Sequence, residues 1–262
     1  MTLLAIDVGN TQTVAAVYHG ADLLHEWRIS TDPAATVDEL AAKHDHILQL
    51  RGGSLTDVSD LVIASGVPSL TTAYQELATK YLQRKALVVG PGVRTGMPLR
   101  IDNPHELGAD RLANAVAGYR RHGGPCIVVD FGTATTLDVV SAAGEYLGGA
   151  IAPGLETSLD ALAGRAARLF RVSLVGPDRA IGKSTAEHMQ IGLVLGTAAM
   201  VDGLVARARR ELGAADVAVV ATGGLAALIV RYSEEIEEHD PLLTLDGLRM
   251  IHELNVPQAQ VR

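Results

Sequence analysis

The strongest constraint on this chain is a short motif that occurs twice. Leu3-Leu4-Ala5-Ile6 runs into Asp7-Val8-Gly9-Asn10-Thr11, and Cys126-Ile127-Val128-Val129 runs into Asp130-Phe131-Gly132-Thr133-Ala134-Thr135-Thr136. Each time a short apolar strand ends in Asp-x-Gly, and a second β-rich stretch follows, Thr13–Tyr18 or Leu137–Val140. A lone Asp-x-Gly-x-Thr reads as an ordinary β-turn, because Asp, Gly and Asn are common turn formers. Two copies, set nearly half of the 262 residues apart, imply two related lobes facing each other. Their tight turns offer backbone N–H groups and hydroxyls to phosphate, with a carboxylate at each strand end for a cation. Phosphoryl transfer needs such an arrangement, since its catalysis is mostly positioning and charge neutralisation. A third echo, Val217-Ala218-Val219-Val220-Ala221 before Thr222-Gly223-Gly224-Leu225, reads as a strand meeting a helix N-terminus that a nucleotide can approach.

The alternation of elements gives the fold class. Strands are expected at Leu3–Val8, Thr13–Tyr18 and Leu23–Ile29, then a helix from Val37 to about Leu50. A strand at Leu61–Ala64, a helix near Ser69–Leu82 and a strand at Ala86–Val89 follow. The second half repeats the order from Ile127, through Thr135–Val140 and Tyr146–Ile151 to helices and the strand at Val217–Ala221. This predicts an α/β protein of two related lobes, each a mixed sheet flanked by helices, over residues 1–121 and 122–262, with a nucleotide cleft between them. Gly123-Gly124-Pro125 is the expected seam. The acidic run Glu234–Asp240 reads as a solvated helix end.

Composition removes other classes. Plentiful Ala, Val and Leu with few aromatics fit an α/β enzyme and argue against disorder. A net charge of −8 with Arg mixed among Asp and Glu argues against a nucleic-acid partner. The chain enters a strand at once and shows no apolar run of bilayer length, so no signal peptide, membrane anchor or membrane partner is expected. The single cysteine, Cys126, falls at a buried strand start and reads as a small core residue rather than a nucleophile. A cytoplasmic location follows as the expectation.

Between the lobes a helix is predicted with Asn103 as cap, Pro104 in the first position and Glu106 three residues on. Ala109, Leu112, Ala113, Val116 and Ala117 follow helical spacing and form its expected buried face. Asp110 and Arg111 lie beside that face, next to Gly108. A surface ion pair is the plainer reading, but adjacent residues do not face each other on a helix, which favours a site. Gly182-Lys183-Ser184 is not a P-loop, because Pro177 stands where that motif needs its leading glycine. It reads instead as a loop into a helix capped by Ser184 or Thr185. The nine histidines show no metal-ligand spacing, and no serine-hydrolase elbow is present.

With these motifs assembled, the chain resembles the type III pantothenate kinases, of the superfamily that holds acetate and sugar kinases, actin and the heat-shock chaperone ATPases. The resemblance rests on Asp7–Thr11, on Gly92-Val93-Arg94-Thr95-Gly96 with Asp102–Arg111, on Asp130–Thr136, on Gly148–Gly154 and on Ile181–Thr185. It implies ribonuclease H-like lobes and ATP-dependent phosphorylation of pantothenate to 4'-phosphopantothenate, the first step to coenzyme A. It implies Asp110 as general base, with Gly108, Ala109, Asp110, Arg111 and Thr185 lining the pantothenate site. Asp7, Val8, Gly9, Asn10, Thr11, Gln12, Thr13 and Thr133 would hold the ATP phosphates, with magnesium near Asp7. Asp130 would bind a monovalent cation, potassium or ammonium. The resemblance also implies a homodimer in which Thr185 reaches the neighbour's substrate. In keeping with that, the helix expected at Ala186–Arg210 carries Met189, Leu193, Gly196, Thr197, Met200 and Leu204 at three- and four-residue intervals. The same stripe could instead pack on the lobe's own sheet. Ile101, Ser184 and Ala16 stand where many members have Tyr, Asn and Gly. The alternatives are another small-metabolite kinase of the superfamily or a weakly active nucleotide-binding regulator. Asp110 separates them, since a pure nucleotide switch has no use for an alcohol-activating base.

Overall fold

A computed structural model describes residues 2–166 and 168–256. The chain forms two compact units, each built on one five-stranded sheet. The first unit takes the residues up to Gly96, Asn103–Ala117 and the stretch from Thr244 onward; the second takes Met97–Asp102 and Gly118–Leu243. The chain therefore crosses the boundary expected at residue 121: its last helix belongs to the first unit, and the bridging helix is shared.

In the first unit β1 (Thr2–Val8), β2 (Gln12–His19) and β3 (Asp22–Ser30) form an antiparallel meander. Helix α1 (Val37–Gln49), β4 (Asp60–Ser65), α2 (Pro68–Tyr81) and β5 (Leu87–Val88) follow, so that β4 lies parallel beside β1 and the order is β3-β2-β1-β4-β5. Two local devices start the helices: a capping box between Thr36 and Glu39 opens α1, and Pro68 opens α2. Strand alternation puts Leu4, Ile6 and Val8 on one face, where they meet Leu40, Leu48, Leu70 and Leu77 of the helices. That core also holds a buried polar chain. Trp27 Nε1 donates to His44 Nδ1 at 3.0 Å, which leaves Nε2 to donate to Tyr74 Oη at 2.8 Å. Burial holds the His44 imidazole well below the usual histidine range, at about 4, so the ring is neutral.

Helix α3 (Ala109–His122) leads into the second unit. There β6 (Cys126–Phe131), β7 (Ala134–Val140) and β8 (Tyr146–Pro153) repeat the meander. Helices α4 (Leu155–Arg165) and α5 (Thr185–Leu212) then lead to β9 (Ala218–Thr222), which lies parallel beside β6. The short α6 (Ala226–Ile229), β10 (Glu238–His239) and α7 (Leu243–Asn255) complete the chain. The order β8-β7-β6-β9-β10 repeats the first sheet strand for strand. Cys126 is fully buried at the start of β6, and burial pushes its thiol up to about 12, which suits a core residue.

The structure changes three details of the sequence reading. Asn103 does not cap α3. It caps a separate 3-10 turn, Pro104–Glu106, by accepting from His105 N at 3.2 Å, and the extended backbone at Leu107 breaks that turn from α3. The acidic run is not a helix end: Glu238 and His239 pair with β9, while Arg209 binds Glu235 and Glu237, and Arg121 binds Glu238 and Asp240. Third, the 28-residue α5 is long and apolar enough to cross a membrane by length and composition alone. Its buried stripe, Val194, Ala198, Val201 and Val205, packs in the second unit's core, and soluble core helices pass the same test.

Candidate active site

The first turn is built from β1 and β2. Val8 pairs with Thr13, leaving four residues between them, and Gly9 N donates to Gln12 O at 3.0 Å to close the turn. A side chain at Gly9 would place its Cβ 3.0 Å from that same oxygen, so the close turn favours glycine. Asp7 and Val8 are neighbours on a strand and point to opposite faces. Val8 is buried in the core, which turns Asp7 to the other face, and Asp7 is only partly buried. Asn10, Thr11 and Gln12 are exposed, and Gln12 Oε1 accepts from Arg28 at 3.0 Å. Thr13 is buried beneath the turn. Thr31 donates its hydroxyl to Gly9 O at 2.8 Å, so the 2.9 Å contact between the two threonine hydroxyls has Thr13 as donor. Of the residues expected to hold phosphate, Asn10 and Thr11 therefore present free faces, Val8 offers only backbone, and Thr13 braces the turn. Thr31 was not legible as a member of this group, because it comes from the end of the next strand but one.

The second turn repeats this with one residue fewer, Phe131 pairing with Thr135 and Gly132 N donating to Ala134 O at 3.0 Å. Phe131 enters the core, so Asp130 stands on the opposite face, as Asp7 does. Gly132 and Thr133 are exposed. Two further segments close on this turn. Gly154 N donates to Thr133 O at 3.2 Å and the Thr157 hydroxyl donates to the same oxygen at 2.7 Å, which sets the N-terminus of α4 beside the turn. A Cβ at Gly154 would fall 2.4 Å from Gly132 O. From the third echo, Gly223 has φ +96, and a Cβ there would fall 2.4 Å from Asp130 Oδ1 and 2.6 Å from Phe131 N. No side chain larger than hydrogen fits either position, so both glycines open the backbone around Asp130 and Thr133. Thr157 carried no sequence signal, since a threonine in the first turn of a helix is common.

Asp110 lies exposed in the first turn of α3, where a carboxylate suits the helix dipole. Its side chain curls back toward Gly108: a Cβ on Gly108 would stand 2.4 Å from Asp110 Oδ1. Gly108, Ala109 and Arg111 are partly buried beside it. One stretch of chain thus brings together four of the residues expected at the acceptor site. Thr185 is apart in sequence, exposed as the first residue of α5. Ser184 caps that helix by accepting from Glu187 N at 3.2 Å, which leaves the Thr185 side chain outside the cap.

The residues fit an anionic nucleotide with a divalent ion. Each turn exposes a hydroxyl residue, Thr11 or Thr133, and has a carboxylate on the face away from its core, where a cation can be shared with phosphate.

Comparison with known proteins gives the family. The family profile described as type III pantothenate kinase matches residues 3–207. A type III pantothenate kinase from Moorella thermoacetica is 50% identical over 253 residues, covering 97% of this chain and 99% of that relative. Among solved structures, one titled as a conserved candidate Baf family transcriptional activator from Campylobacter jejuni superposes with a TM-score of 0.61 at 20% identity, over 96% of this chain and 98% of that one. An inorganic polyphosphate/ATP-glucomannokinase from Arthrobacter superposes with a TM-score of 0.52 at 13% identity, over 97% and 99%. At such identities the two structures speak for the fold alone.

Proposed function

The chain belongs to the type III pantothenate kinase family, and we propose that it phosphorylates pantothenate with ATP, using Asp110 as the base, in the first step of coenzyme A biosynthesis. The observation that carries the assignment of roles is the repeated turn together with the carboxylate folded over Gly108. A kinase needs groups that hold and neutralise phosphate and one group that activates the alcohol. The two turns supply the first, and Asp110 supplies the second.

Asp110 accepts the proton of the primary hydroxyl as that oxygen bonds to the γ-phosphorus and the bond from the γ-phosphorus to the ADP oxygen breaks. Gly108, Ala109 and Arg111 hold the acceptor beside this carboxylate. Asn10, Thr11 and Thr133 hold phosphate, and Gly9 keeps the first turn tight enough to present its two residues. Magnesium, carried in with ATP near Asp7, would neutralise charge on the phosphates. For Asp130 we propose a monovalent cation, potassium or ammonium, because a carboxylate beside bound phosphate is unfavourable without a neutralising ion.

We also propose a homodimer. Helix α5 has two faces: Met189 and Leu193 join a cluster with Leu159 and Val172, while Gly192, Gly196 and Ala199 are exposed. A Cβ at Gly192, Gly196 or Gly203 would meet nothing within 4 Å, so another helix can approach this side. In that assembly Thr185 would reach the partner's pantothenate. A lone buried cysteine fits a cytoplasmic protein. The test is a coupled ADP-release assay with magnesium and potassium across a panel of alcohol acceptors. Turnover with pantothenate above all others is expected; ATP binding without phosphopantothenate would refute the reading.

A further inference from the structure

We propose that α7, the last helix, is a strut that positions Asp110. This rests on the reading of Asp110 as the base.

Two packing faces of α7 carry the argument, both within the first unit. One is against α3. The Thr244 hydroxyl donates to Asn114 Oδ1 at 2.7 Å, and Asn114 is fully buried one turn beyond Asp110. A turn further along α7, Gly247 lies so close to α3 that a Cβ there would be 2.0 Å from Ala113 O and 2.6 Å from its carbonyl carbon. This is helix backbone against helix backbone, and only glycine permits it. The other face is against the sheet. The Arg249 guanidinium lies 5.7 Å from the centre of the Tyr18 ring, and Arg249 is itself buried between Asp246 and Glu253. Tyr18 pairs with Leu3, so strand alternation sets it on the same sheet face as Asp7. Helix α7 thus joins the strand face that carries Asp7 to the first turns of the helix that carries Asp110. At its far end Asn255 holds the loop around Arg94 by two bonds, accepting from Arg94 N at 3.1 Å and donating to Arg94 O at 2.7 Å.

A base works only within hydrogen-bond reach of its proton, and a misplacement near 1 Å costs up to roughly 100-fold. Asp110 sits in the first turn of the 14-residue α3, so any slip or rotation of that helix moves the carboxylate. The close approach at Gly247 and the bond at Asn114 set its height and rotation. Thr244, Gly247 and Asn114 are positioning residues, since they act on Asp110 through α3.

The test measures kcat, KM for both substrates and thermal stability for Thr244→Val, Thr244→Ser and Gly247→Ala, each with and without Asp110→Asn. A Cβ at residue 247 forces the helices apart by about 1 Å, so kcat should fall by about ten- to a hundred-fold, with KM for ATP unchanged. Thr244→Val should lose several-fold in kcat, and Thr244→Ser should restore it. In the Gly247→Ala background Asp110→Asn should cost far less than in the wild type, because the base is already misplaced; a merely structural role would leave that cost undiminished. Should Gly247→Ala fail to fold, the Val and Ser pair at Thr244 carries the test. Wild-type kcat in folded Thr244→Val, or a full Asp110→Asn effect in Gly247→Ala, overturns the strut. An active Asp110→Asn in the wild-type background instead sinks the base assignment, and the strut with it.

Discussion

Gly108→Ala isolates the geometry of the base from its chemistry. The backbone of Gly108 is not in the left-handed region, so alanine is sterically allowed there. The new methyl would stand 2.4 Å from Asp110 Oδ1. Real Cβ contacts begin near 3.0 Å, so the carboxylate must move by about 0.6 Å or rotate to another rotamer. The fold has no reason to suffer: an alanine at a compatible position changes stability by about 1 kcal/mol or less, and the sign favours alanine. The catalytic cost is larger. General-base catalysis is worth roughly 10²–10⁴-fold, which bounds the loss in Asp110→Asn. A displaced but intact carboxylate should lose a part of that, about ten- to a hundred-fold in kcat. The assay is ADP release under saturating ATP and pantothenate, with melting curves on the same preparations. The double variant should be no slower than Asp110→Asn alone, since both changes act on one group. If Gly108→Ala turns over within twofold of wild type while Asp110→Asn is crippled, the side-chain placement described here is not the one that does the chemistry.

Other consequences can be measured separately. Replacing potassium with sodium should weaken ATP use, and Asp130→Ala should erase the difference; equal rates in both salts would remove the cation from Asp130. His44 titrates at about 4 in the fold against 6.5 for an ordinary histidine, so the unfolded chain takes up a proton first as the pH falls. Its contribution is intact above pH 6.5 and is lost toward pH 4, a destabilisation on the order of 3 kcal/mol readable by urea unfolding; a flat profile over that window would show the ring is not neutral and buried in solution. Light scattering should give about twice the 27.5 kDa chain mass, and Asp at both Gly196 and Met200 should give a monomer with poor pantothenate affinity. A fully active monomer would exclude the dimer and its shared substrate pocket.

What the sequence disclosed was whatever short-range chemistry determines. The β1–β2 and β6–β7 turns, the cap at Ser184 and the buried Cys126 all follow from residues within a few positions of each other. The Asn103 cap misled for a related reason: the local pattern is real, but it serves a 3-10 turn that Leu107 ends before α3 begins. The contacts that were not legible join distant segments. Thr31 under the first turn, Thr157 at the second and the return of α7 to the first unit leave no periodic trace. The stripe on α5 was ambiguous because a long helix has two apolar edges, and spacing alone does not say which one meets its own sheet.

Parity accounts for the most useful part of the site. Along a strand the side chains alternate, so a residue that enters the core sends its neighbour to the opposite face. Val8 and Phe131 are the last strand residues before each glycine, and both are buried in their own unit's core. Asp7 and Asp130 must then stand on the face away from that core, two residues before the glycine that closes each turn. Shifting either strand by a single residue would bury the carboxylate among Leu and Val side chains, where a charge costs several kcal/mol unless it is paired. The motif Asp-x-Gly with an apolar middle residue therefore specifies more than a turn. It fixes on which side of the sheet the charged group can stand, and it does so twice in this chain with the same alternation of faces and the same result.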